Sequence, residues 1–196
     1  MDKSSSAELS EAINSIFRWY KDAVICYVYM SDVSVKASGS AKDKRAFRRR
    51  AWFTRGWALQ ELLAPDMIVF CDRAWIDIGT KATLESAIKA ASNITQLSHF
   101  SEVCIAQKMS WAAKRKTTRV EDEAYCLMGI FGVNMPILYG EGANAFFRLQ
   151  QEILKQSDDE SIFAWKSAND LDNNRSGILA QNAADFKHAG DIIRLI

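Results

Sequence analysis

The chain has 196 residues, 48% of them hydrophobic and 25% charged, with only two prolines; that suffices for a sizeable core in one domain, with or without an appendage, and argues against long disorder. Its 25 basic and 24 acidic residues leave a formal net charge of +1, so nucleic acid is not the expected partner and any basic surface must come from local clustering. The four cysteines, Cys26, Cys71, Cys104 and Cys126, form no CxxC pair, and three lie in apolar runs typical of buried free thiols in a reducing compartment. The polar start MDKSSSAELSE lacks the apolar centre of a signal peptide. No run reaches the roughly 18 apolar residues that span a bilayer, and a soluble cytoplasmic protein is expected.

In chain order, SSSAELSEAINSIFRWYKDA places Leu9, Ala12, Ile13, Ile16, Phe17 and Tyr20 at three- and four-residue spacing. This predicts an amphipathic helix to about Ala23, with Ser5 and Glu8 in capping-box register. VICYVYM, 24–30, reads as a buried strand. A small, polar loop and the basic run KDKRAFRRR, 42–50, lead into AWFTRGWALQELLA, predicted helical until Pro65 stops it. MIVFC, 67–71, is a second strand, and TKATLESAIKAAS after Gly79 another amphipathic helix. The alternation favours α/β layering in this half. Beyond residue 100 the pattern turns helical: SEVCIAQKMSWAAKR, then TTRVEDEAYCLMGIF with Thr118 and Glu121 in capping-box register, then a helix carrying Ala145, Phe146, Leu149 and Ile153 on one side. ESIFAW reads as a final short strand.

Most chemical signatures are lacking. There is no P-loop and no GxGxxG, and His99 and His188 stand near no cysteine or acidic pair at ligand spacing, so no metal site and no cofactor are expected. The basic run has Phe47, Trp52 and Phe53 close by, the mix of charge and stacking surface that holds single-stranded nucleic acid, although a solvated face explains it more cheaply. Glu61 is the more informative residue. One helical turn after Trp57, among Leu59, Leu62 and Leu63, it shares a face with an indole and can be partly desolvated. Spacing alone favours a structural role for it, an ion pair with Arg55 or Arg50 or a carboxylate projecting to water.

Three blocks, DKSSSAELSEAINSIFRWYKDAVICYVYMSDV, AWFTRGWALQELLAP and MSWAAKRKTTRVEDEAYCLMGIFGVNMPILYGEGANAFFRLQQEI, closely resemble the fungal heterokaryon incompatibility (HET) domain family, in its order and over most of residues 2 to about 150. The resemblance implies a HET domain at 1–150, a C-terminal extension at 151–196, and a role in self/non-self recognition as a cell-death effector. The family is considered a distant relative of Toll/interleukin-1 receptor (TIR) domains, so the implied α/β fold is an incomplete flavodoxin/TIR-like parallel sheet with helices, its first two strands missing, followed by a mostly helical C-terminal half. Trp57, Ala58, Leu59, Gln60, Glu61 and Leu62 are similar to the motif that carries the catalytic glutamate of NAD-cleaving TIR enzymes. By that resemblance Glu61 is the catalytic candidate, Trp57 would shape a pocket and Arg55 would meet the diphosphate of NAD, a substrate and not a resident cofactor. The implied partners otherwise are further copies of the chain and other incompatibility or NOD-like receptor proteins. A non-enzymatic module that signals by assembly is the alternative.

Overall fold

A computed structural model describes residues 6–34, 47–48, 50–167 and 177–193. The predicted first helix is α1, Ser6–Asp22; Ser5 of its expected capping box lies outside the described residues. Ala12 and Ile13 are buried and Phe17 packs against the core, so the apolar stripe does what its spacing predicts. β1, Cys26–Tyr29, then pairs in parallel with β2, Ile68–Cys71.

The sheet corrects two expectations. Besides the two predicted strands it has β3, Asp77–Thr80, antiparallel to β2, so the order is β1-β2-β3 and the sheet is mixed, not purely parallel. DIGT has none of the apolar alternation of a core strand, and its placement comes from the turn before it. Asp72 folds that turn back, its Oδ1 accepting from the backbone N–H groups of Ala74 (2.8 Å) and Ile76 (3.0 Å). β1, expected to be buried, is an edge strand: Val28 faces the core while Tyr27 and Tyr29 stay exposed.

The predicted helix through 51–64 is two pieces. Ala51–Thr54 forms a 3-10 turn, Arg55 is extended, and α2 runs Ala58–Leu63, its last turn closing at Ala64 before Pro65. A distant segment causes the break. Lys116 N–H donates to the Thr54 carbonyl (2.7 Å) and Gly56 N–H to the Lys116 carbonyl (2.9 Å), pairing Arg55 with Lys116 as a single parallel rung. Gly56 is required by the close approach, since a Cβ there would stand 2.4 Å from Thr117 Cγ2.

The second half is helical, as predicted. α3, Glu85–Ser92, is the amphipathic helix predicted after Gly79 in the first half, and beyond residue 100 α4 is Ile105–Ala112. The long helix expected from TTRVEDEAYCLMGIF is divided into α5, Asp122–Tyr125, and α6, Met128–Phe131, before α7, Asn144–Gln156. ESIFAW is not a strand: Glu160–Phe163 is a 3-10 turn capped by Asp159, whose carboxylate accepts from Ser161 N–H (3.0 Å) and also from Ile105 N–H (2.8 Å) at the start of α4. Residues 177–193 return across α4. Ala180, Ala183, Phe186 and Ala189 are buried in the same core as the sheet and α2. Gln150 fixes this return by giving its amide N–H to the Ala180 carbonyl (2.8 Å) and accepting from Ala180 N–H (3.0 Å).

Candidate functional site

α2 buries Ala58, Leu59, Gln60, Leu62 and Leu63, which leaves Glu61 on its half-buried stripe. The indole that meets Glu61 is not the one a helical turn away. Trp52, brought over by the 3-10 turn, donates its Nε1–H to Glu61 Oε2 at 3.0 Å. Tyr20, near the end of α1, also engages this carboxylate through its hydroxyl. Burial, and then the negative charge of Glu61, push the Tyr20 phenol up to about 12; the same two causes raise the Cys26 thiol.

On the cationic side, neither expected ion pair is present among the described residues. The Arg50 guanidinium turns to the Asp32 carbonyl, and Arg55 is exposed. A half-buried arginine that spacing did not single out, Arg115, donates from Nε to Trp111 O (3.1 Å) and from Nη1 to Arg55 O (3.0 Å), while its buried Nη2 finds no acceptor among the described residues. Burial lowers its pKa to about 10 against the opposing pull of Cys126 and Glu61. Tyr20, Trp52 and Arg115 were missed for a plain reason. Tyr20 reads as part of the apolar stripe of α1, Trp52 as stacking surface beside the basic run, and nothing in the spacing marks Arg115; only tertiary folding brings them to Glu61.

The position of this cluster bears on its chemistry. Cys26, which feels the Glu61 charge, is the first residue of β1, so Glu61 lies at the N-terminal end of the parallel pair. Open α/β sheets hold ligands at the opposite, C-terminal end. Two cavities are described. One of about 410 Å³ is lined by Phe17, Lys21, Leu63, Lys81 and Phe100, and one of about 780 Å³ by Asn14, Phe17, Arg18, Gly129 and Met135; Glu61, Trp57 and Arg55 line neither. Trp57 is half-buried and packed against the core. Among the described residues no group of three histidines, cysteines or acids could hold a metal ion, and no helix is long and apolar enough to cross a membrane.

The basic run offers no stacking surface where it is described. Residues 42–46 and 49 lie outside the described residues. Phe47, Trp52 and Phe53 are buried, packed edge to face on one another and on Phe70 with ring centroids 5.1–5.7 Å apart. Rings spent in the core cannot stack on bases.

A second polar cluster organises the 138–142 loop. The expected Thr118–Glu121 box is not formed, because Glu121 Oε1 accepts instead from the N–H groups of Gly140 (2.8 Å) and Gly142 (3.1 Å). Those glycines have φ of +105° and +59°, which bends the loop over the carboxylate. Tyr139 donates to Asp122 Oδ1 (2.8 Å), Tyr125 donates to Glu141 Oε1 (2.8 Å), and Arg119 sits 4.1 Å above the Tyr139 ring. The backbone N–H bonds hold the Glu121 carboxyl below the usual range. A depressed carboxylate contributes stability that is complete above the ordinary Glu value of about 4.3 and is lost as pH falls through the folded pKa. Urea titrations from pH 6 downward should therefore show Glu121→Gln less stable than wild type near neutrality, with the gap closing in acid; a constant gap would show that the carboxylate charge contributes nothing.

The chain resembles a vegetative incompatibility protein. It is 47% identical over 163 residues to vegetative incompatibility protein HET-E-1 of Podospora anserina, an alignment that covers 79% of this chain and 12% of that relative. The chain thus spans about an eighth of the relative's length. Residues 144–193, α7 and the returning segment, match a family described as a domain of unknown function, DUF8212. No solved structure matches the chain significantly.

Proposed function

We propose that this chain is a fungal incompatibility module that takes part in self/non-self recognition and passes its signal on by protein contact. The similarity to HET-E-1 carries the reading. The geometry supports contact over catalysis: Glu61 is engaged by Trp52 and Tyr20, stands at the N-terminal end of the parallel pair, and lines neither described cavity. Expression of the chain in Podospora anserina, scored for growth arrest, tests it. Arrest by wild type and by Glu61→Gln alike is expected; normal growth with both would overturn it.

A second reading, cleavage of NAD in a TIR-like site, draws on the incomplete burial of Glu61 and on the Tyr20 hydroxyl and Arg55 charge beside it. The nicotinamide of NAD is cationic and departs neutral, so one carboxylate near the ribose suffices, without the acid partner of ordinary glycosidases. Nicotinamide release from NAD separates the two readings. Release by wild type that falls at least about 100-fold in Glu61→Gln establishes the chemistry, and no release, or equal release, leaves the contact reading alone.

A further inference from the structure

Ile25, Tyr27, Tyr29, Met67, Trp75 and Ile76 are large apolar side chains that remain exposed, and all belong to β1, its approach, or the strand and turn beside it. Parallel pairing turns the backbone groups of Cys26, Val28 and Met30 toward β2, as the bonds from Cys26 N–H to Met67 O (2.9 Å) and from Met30 N–H to Cys71 O (2.9 Å) show. The same alternation sends the N–H and C=O of Tyr27 and Tyr29 to the other edge, where no described residue pairs with them. Natural edges are protected by charge, proline or a bulge. The strand CYVY has none of these.

The neighbouring turn adds a second observation. It holds Trp75 at φ 61°, a backbone state costly for a bulky side chain. The result is an exposed indole stacked on Tyr29, ring centroids 4.8 Å apart and planes 24° from parallel. The strained turn therefore prolongs the row of aromatics that begins on β1.

We propose that a second copy of this chain adds to this edge, the two β1 strands running antiparallel about a two-fold axis between their Val28 residues. This surface deepens the contact reading above and rests on it. In that register Tyr27 of each copy stands opposite Tyr29 of the other, the outward-facing backbone groups of each pair exchange both hydrogen bonds, and the two Val28 side chains meet on the covered face. The outer face acquires a continuous row from Trp75 to Tyr29 to the other copy's Tyr27. Self-pairing suits this strand because Tyr-Val-Tyr reads the same in both directions about Val28, and because an uncharged strand brings no like charges together.

Light scattering across concentration, combined with amide hydrogen exchange, tests the proposal on the intact chain. A dimer is expected in which the Tyr27 and Tyr29 amides gain protection as concentration rises, whereas the Val28 amide, turned toward β2, is protected throughout. Tyr27→Lys changes an exposed side chain, so its circular dichroism should match wild type while its dimer dissociation constant rises about tenfold or more. A strict monomer would overturn the proposal, as would a dimer whose Tyr27 and Tyr29 amides stay unprotected or that Tyr27→Lys leaves intact. Growth arrest by a monomeric chain would remove this interface alone; a dimer without arrest would remove the incompatibility reading and leave the interface standing.

Discussion

Valine in place of Gly129 is expected to lower the unfolding free energy by about 3 kcal/mol, the upper end of the usual cost of overpacking. A Cβ at this position would lie 2.1 Å from Phe17 Cβ and 2.5 Å from its Cγ, where α6 crosses α1. The clash is with atoms close to the helix backbone, so no side-chain rotation relieves it and the two helices must separate. Urea denaturation measures the loss as a lower midpoint. Adding Phe17→Gly, which removes the Cβ as well as the ring, should return part of it, because the two changes meet at one contact and cannot be additive. Simple addition of the two losses would show that the helices do not touch there.

Phe186→Ala should cost about 3–5 kcal/mol, as expected for a phenyl removed from a closed core. Phe186 is fully buried, whereas the adjacent Lys187 is exposed, and Lys187→Ala should stay within about 0.5 kcal/mol. The comparison asks whether residues 177–193 belong to the cooperative unit that also contains the sheet. One transition displaced to lower denaturant says that they do. An unchanged midpoint in Phe186→Ala would make the returning segment a separately melting piece.

These two sites also mark the limit of what could be read from sequence. α1 and α7 were legible because each has one apolar stripe at helical spacing, and β2 because a short β-branched and aromatic run sits between breakers. The break at Arg55 was not, because its cause is a backbone rung to Lys116 about sixty residues on. Glu121 misled for a similar reason: its local pattern matched a helix cap, but the N–H groups of Gly140 and Gly142 offered better donors once the loop closed. β3 failed the pattern test because an edge strand made by a tight turn has no need of core residues. As for the candidate site, the sequence singles out Glu61 as a carboxylate among leucines. Its partners, Trp52 from the 3-10 turn, Tyr20 from α1 and the nearby Arg115, converge only in three dimensions.

The return of residues 177–193 across α4 also sets an order of events during synthesis. Ile105, Ala106 and Met109 belong to the core that Ala180, Ala183 and Phe186 complete, yet they leave the ribosome well before those residues exist. At about 5–20 residues per second the delay is several seconds, far longer than the microseconds in which the helix itself can form. During that interval the nascent chain carries an unfinished apolar surface on α4, and a stop codon or a proteolytic cut just after α7 would make that surface permanent.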